Sequence, residues 1–124
     1  MIGYVTLGTN DLPKAVAFYE KLLAPLGAKR FMENEQFVAF GAGEDQPGIG
    51  ITKPYDGKPA THGNGTMVAL QVDNAQKVDE MYALAMSLGA TDEGKPGARG
   101  GGFYAAYFRD LDGNKLNFFC MGKG

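Results

Sequence analysis

Residues 103–119, FYAAYFRDLDGNKLNFF, decide the fold. Two aromatic-rich runs flank Asp110-Leu111-Asp112-Gly113-Asn114. Asp and Asn side chains can bond their own backbone there and glycine supplies positive φ, so the chain reverses into a β-hairpin. In the second run Leu116, Phe118 and Cys120 alternate with Lys115, Asn117 and Phe119. That is the period of a strand with one apolar face and one mixed face. The mixed face, with its ammonium and amide, is where ligand chemistry is expected. Phe103, Tyr104, Tyr107 and Phe108 fall on both sides of the first run, and the pattern leaves open which side faces a ligand.

Upstream of this hairpin, Val68, Leu70 and Val72 alternate with Met67, Ala69 and Gln71, and Asp73 offers a helix cap. Val78, Met81, Tyr82, Ala85 and Leu88 then recur at helical spacing until Gly89. The beginning of the chain follows the same plan. Tyr4 to Gly8 alternates as a strand, Asn10 and Asp11 offer cap oxygens, and Leu12, Ala15, Val16, Tyr19, Leu22 and Leu23 form a helical stripe. Pro13 suits a first turn, and Pro25 ends the helix near Leu23 or Ala24. Strands are predicted at Lys29 to Glu33, Gln36 to Gly41 and Ile49 to Lys53, followed by a linker from Pro54 to Asn64. Placed in register, Val5 falls on Val68, Leu7 on Leu70, Lys14 on Lys77 and Tyr19 on Tyr82. After a one-residue gap, Leu26-Gly27-Ala28 falls on Leu88-Gly89-Ala90. A repeat of about 60 residues exceeds solenoid units and points to a duplicated strand–helix–three-strand module. Each helix would cover one sheet face, and the opposite faces must close on each other or on a partner chain. A cupped sheet with a central cavity is one solution.

Length and composition bound the rest. The 124 residues suit one domain, 1–124, with modules at about 1–58 and 62–122. Apolar residues make up 44% and charged residues 21%, and no apolar run nears the roughly 20 residues that cross a bilayer. No membrane partner is expected. The opening MIGYVTLG reads as a strand and not as a signal peptide, so the cytoplasm is the expected location. A net charge of −2 with scattered Lys and Arg gives no basic stripe for nucleic acid. The one cysteine, Cys120, reads as a buried thiol on the apolar strand face.

VTLGTNDLPKAVAFYEKLLAPLGAKR at 5–30, GNGTMVALQVDN at 63–74 and YFRDLDGNKLNFF at 107–119 resemble the vicinal oxygen chelate superfamily. That superfamily comprises the glyoxalases, extradiol dioxygenases and bleomycin-resistance proteins. The resemblance implies an α+β fold in which two βαβββ modules form a cupped eight-stranded mixed sheet with helices outside, often within a homodimer. It also implies a divalent metal acting as a Lewis acid, held by His, Gln or Glu from the first and last strands of each module. Those places fall on Tyr4, near Gly50, on Met67 and on Asn117. A phenol, a hydrogen, a thioether and an amide are not the imidazole or carboxylate donors such a dication asks for. The expectation is therefore no metal and no cofactor. The only histidine, His62, lies in the linker, and Glu44, Asp45 and Asp56 lie in loops, all read as solvated surface; Asp110 and Asp112 read as turn residues.

What remains is a cup lined by Tyr4, Thr6, Met67, Lys115, Asn117 and Phe119, with Tyr4, Met67 and Asn117 on one cavity. Lys95 to Gly102, with three consecutive glycines, reads as a mobile loop or lid carrying Arg99 toward an anion. Three functions fit. The first is a metal-free small-molecule-binding protein, resembling the bleomycin-resistance branch. The second is a metalloenzyme of glyoxalase, isomerase or dioxygenase type. The third is a metal-free lyase or isomerase using Tyr4 as acid or Lys115 as base or clamp.

Overall fold

Asp11 and Asn74 do the same work in the two halves of the chain. Their side chains accept hydrogen bonds from Lys14 N at 3.1 Å and Lys77 N at 2.8 Å, satisfying amides that a first helical turn leaves unpaired. They start α1 (Leu12–Leu23) and α2 (Ala75–Ser87). The second cap thus sits on Asn74, one residue beyond the Asp73 that the sequence suggested. Pro25 ends α1 as predicted, in a 3₁₀ turn Ala24–Leu26 closed by Gly27 at φ 80°.

The computed structural model describes residues 1–122, which divide between His62 and Gly63 into two units. The first unit runs β1 (Tyr4–Gly8), α1, β2 (Lys29–Glu33), β3 (Phe37–Gly41) and β4 (Gly48–Thr52). Its sheet order is β1-β4-β3-β2, with β1 parallel to β4 and the other pairs antiparallel. The second unit runs β5 (Val68–Gln71), α2, β6 (Thr91–Ala98), β7 (Phe103–Arg109) and β8 (Lys115–Met121), in the order β5-β8-β7-β6 with β5 parallel to β8. The duplicated βαβββ plan is therefore present, its eight strands arranged as two four-stranded mixed sheets.

In each unit the helix covers one sheet face. Val16, Tyr19, Leu22 and Leu23 of α1 are buried, as are Leu7, Val38, Phe40, Ile49 and Ile51 on the first sheet. Val78, Met81 and Ala85 of α2 are buried, as are Ala106, Phe108, Leu116 and Phe118 on the second. Phe108 and Phe118 stack with centroids 5.3 Å apart. Cys120 is buried on that side, as the alternation predicted.

One element departs from expectation. Lys95 to Ala98, read as part of a loop, belongs to β6. The strand sits at the edge of its sheet, and its register against β7 shifts between Asp92 and Gly94 and again between Gly94 and Gly97. An edge strand with bulges tolerates Pro96 and glycine, residues that argue against a central strand. The glycines that follow form a bonded turn. Gly100, Gly101 and Gly102 all have positive φ, and Arg99 N donates to Phe103 O at 2.7 Å while Phe103 N donates to Gly100 O at 3.1 Å.

The helix–sheet seam of the second unit carries a pH-sensitive contact. Tyr82 Oη donates to Asp92 Oδ1 at 2.8 Å, and Gly94 N donates to the same oxygen at 3.0 Å. The Tyr82 bond, then the Gly94 amide, hold the Asp92 carboxyl below its ordinary value. A depressed carboxyl stabilises the fold above the unfolded-state value of about 4, and that contribution is lost as pH falls through the folded value. Tyr82→Phe is expected to lower Tm at pH 6, with the gap from the parent closing toward pH 3. Parallel Tm curves for the two proteins across that range would show that this bond does not couple to folding.

Candidate ligand-binding face

The β7–β8 register answers which aromatics share a face. Phe103, Ala105, Tyr107 and Arg109 stand opposite Met121, Phe119, Asn117 and Lys115. Tyr104 belongs to the other face, where its Oη donates to Asp79 of α2 at 2.7 Å. The face away from α2 therefore carries Tyr107, Arg109, Lys115, Asn117 and Phe119, joined across the β5–β8 pairing by Ala69 and Gln71. Met67, just before β5, is 40% exposed.

Three features give this face chemical character. Phe103 and Phe119 stack with centroids 5.4 Å apart, making an aromatic wall. Tyr107 has two cations at its ring, Arg99 Cζ and Lys115 Nζ, each 5.5 Å from the centroid. Such contacts draw on the ring's negative face. Asn117 is 1% exposed, and its Oδ1 is buried without a hydrogen-bond partner among the described residues. An orphaned buried acceptor costs about 1–3 kcal/mol, which makes it an unusual thing for a fold to keep.

The charges on this face are arranged and not scattered. Arg109 Nε lies 3.2 Å from Glu93 Oε1, with Lys115 Nζ at 4.0 Å from the same oxygen. Arg99 folds back along its own strand, donating from Nη2 to Lys95 O at 2.6 Å. Glycines make that posture possible. A Cβ on Gly97 would lie 2.8 Å from Arg99 Nη1, and one on Gly94 would lie 3.1 Å from Tyr107 Cδ1 and 3.5 Å from Arg99 Nη2.

In the first unit Tyr4 and Thr6 lie on β1, both exposed, and their register partners on β4 are Gly48 and Gly50. Tyr4 is 64% exposed and meets Phe37 edge-on with centroids 6.5 Å apart. A Cβ on Gly50 would collide with the Phe37 ring.

Of the positions that the resemblance gives to metal ligands, the first unit thus supplies Tyr4 and Gly50, and the second Met67 and Asn117. Gly50 has no side chain, and the space a ligand side chain would leave from is filled by Phe37. A phenol, a thioether and an amide do not fit a hard or borderline dication. Among the described residues no three His, Cys, Asp or Glu side chains converge as a metal site. His62, Glu44, Asp45 and Asp56 are exposed in loops. Asp110 and Asn114 are buried in the hairpin turn, where Asp110 Oδ1 accepts from Asp112 N and Asn114 N, each at 2.9 Å.

The sequence pattern names Met67, Arg99, Lys115, Asn117 and Phe119 in this second unit, leaves the face of Tyr107 open, and does not name Arg109 and Glu93 as neighbours. Counting back across the turn finds Tyr107 and Arg109. Asp110 N donates to Asn114 O at 2.9 Å, which sets Arg109 against Lys115 and Tyr107 against Asn117. Glu93 sits at a bulge, where strand alternation gives no signal.

Residues 1–118 match the model of the Glyoxalase/Bleomycin resistance protein/Dioxygenase superfamily. A glyoxalase/bleomycin resistance protein from Albidiferax ferrireducens T118 is 35% identical, with a TM-score of 0.88 over 97% of this chain and 98% of that one. Two more distant structures share the fold. A glyoxalase/bleomycin resistance protein/dioxygenase family enzyme from Burkholderia phytofirmans PsJN is 20% identical with a TM-score of 0.80, covering 96% of this chain and 97% of its own. Lactoylglutathione lyase from Agrobacterium tumefaciens is 22% identical with a TM-score of 0.72, covering 97% and 92%. No match was found among curated proteins.

Proposed function

Since the chain belongs to the glyoxalase/bleomycin resistance protein/dioxygenase superfamily, we propose that it is a small-molecule-binding protein that works without that family's catalytic metal. The proposed binding residues are Met67, Arg99, Lys115, Asn117 and Phe119 in the second unit and, taken separately, Tyr4 and Thr6 in the first. The reading extends to a cytoplasmic homodimer. The observation that carries it is Asn117 Oδ1, a buried acceptor with no protein partner among the described residues. A ligand N–H or O–H would satisfy it and recover the desolvation cost.

The metalloenzyme alternative is disfavoured by donor chemistry at Tyr4, Gly50, Met67 and Asn117. The metal-free enzyme alternative rests on Tyr4 or Lys115. The contacts of Lys115, a carboxylate and a ring face, are those of an electrostatic clamp more than of a proton acceptor.

The test has two arms. Protein purified without chelator and soaked with Ni²⁺, Zn²⁺, Mn²⁺ or Fe²⁺ is expected to hold less than one equivalent of each by elemental analysis; one tight equivalent would overturn the metal-free reading. Next, Asn117→Leu replaces the orphaned amide by an apolar group of the same branching. Its stability is expected to be unchanged, or raised by about 1–3 kcal/mol. Thermal shifts given to the parent by aromatic and amphipathic compounds should be lost in the variant. A variant that is destabilised and still binds would mean that Asn117 serves the fold.

A further inference from the structure

The charges and the orphaned acceptor on the second sheet specify more than an amphipathic compound. Resting on the binding-protein reading above, we propose that the ligand is an aromatic carboxylate with an O–H or N–H donor para to the carboxylate. Its anionic end lies between Arg99 and Lys115, its ring lies beside Tyr107, and its donor reaches Asn117 Oδ1.

The cationic end follows from charge. Among the described residues this face carries Arg99, Arg109 and Lys115 beside the carboxylate Glu93, which Arg109 holds at 3.2 Å and Lys115 approaches only to 4.0 Å. Among the described residues the Arg99 guanidinium makes one hydrogen bond, from Nη2 to Lys95 O, which leaves most of its five N–H donors for an acceptor outside the chain. Its guanidinium is also held in place, along Gly94 and Gly97 and against the Tyr107 ring. A planar fork fixed in this way suits a carboxylate, which takes two parallel hydrogen bonds.

The span follows from the strand. Lys115 and Asn117 are two residues apart on β8 and share its face, which sets their Cα atoms roughly 7 Å apart in extended chain. A carboxylate and a donor on adjacent carbons are too close to reach both. A benzene ring between them gives the right reach, and Tyr107, the register partner of Asn117, offers its ring on the same face. The donor requirement comes from Asn117 Oδ1, which can only accept.

Titration calorimetry with 4-hydroxybenzoate, benzoate, 4-hydroxybenzamide and 4-hydroxyphenylphosphonate tests this. 4-Hydroxybenzoate is expected to bind at least about tenfold more tightly than benzoate, which lacks the donor, and than the amide, which lacks the charge. The phosphonate, which also takes two parallel hydrogen bonds from a guanidinium, is a second probe of the anion site and is expected to bind more tightly than the uncharged amide. Arg99→Gln should lose about tenfold. Gly97→Ala, which keeps the charge and displaces the guanidinium, should lose several-fold with Tm retained. Arg30→Gln, the same charge change in the first unit, should leave binding as it was. If the acid and the amide bind equally, the anion site is refuted while small-molecule binding stands. If none of these probes binds but neutral amphipathic compounds shift Tm, the inference again fails alone. If neither probes nor such compounds bind, the binding-protein reading fails with it.

Discussion

Asp110→Ala is expected to cost about 3 kcal/mol, lowering Tm by roughly 10 °C or more. The residue is 5% exposed, and its side chain supports the turn from inside. Its Oδ1 accepts from Asp112 N and Asn114 N at 2.9 Å each, and its Oδ2 accepts from Asn114 Nδ2 at 3.0 Å. Alanine would strand these donors, two of them on the buried Asn114. Asp110→Asn keeps one acceptor and turns a donor toward Asn114 Nδ2, so an intermediate loss of about 1–2 kcal/mol is expected. Thermal and urea unfolding of the three proteins measures both. A loss below about 0.5 kcal/mol for the alanine variant would show that the turn forms without this carboxylate.

Phe118→Ala is expected to cost about 3–5 kcal/mol, the range for a large ring removed from a packed core. Phe118 is fully buried on β8, stacked on Phe108 at 5.3 Å, on the face that α2 covers. Neighbours on both sides belong to strands held in register, so the space left behind has little freedom to collapse. Phe118→Leu keeps most of the volume and should lose clearly less. Urea midpoints followed by far-ultraviolet circular dichroism separate the two outcomes, and equal losses would mean that shape at this site matters less than the contacts suggest.

The duplicated plan was legible because its signals are local and strong. Val5 and Leu7, or Leu116 and Phe118, alternate without interruption, and the caps, Pro25 and Gly113 mark the ends of elements by chemistry that acts within a few residues. β6 was half hidden for the opposite reason. Lys95, Pro96 and Gly97 have loop composition, and only pairing with β7, a tertiary fact, holds them as strand. The candidate site was legible in part. Lys115, Asn117 and Phe119 could be placed on one face by counting. Tyr107 required the hairpin register, and Glu93 and the posture of Arg99 depend on bulges and on glycines whose value lies in what they leave unfilled.

The strand order has a consequence for how each half is assembled. In the first unit β1 pairs with β4, and in the second β5 pairs with β8, so each unit's opening strand waits for its final one. That final strand enters the interior of the sheet, between the opening strand and a hairpin partner. Loop closure over such a separation is entropically costly before it is rewarded, which slows folding. During synthesis the first unit can complete its sheet once Thr52 has emerged, while the second remains an open pair of edges until Met121 is made. A chain cut just after the Asp110–Asn114 turn would lose the centre of its second sheet and not its margin, leaving β5 and β7 with nothing between them.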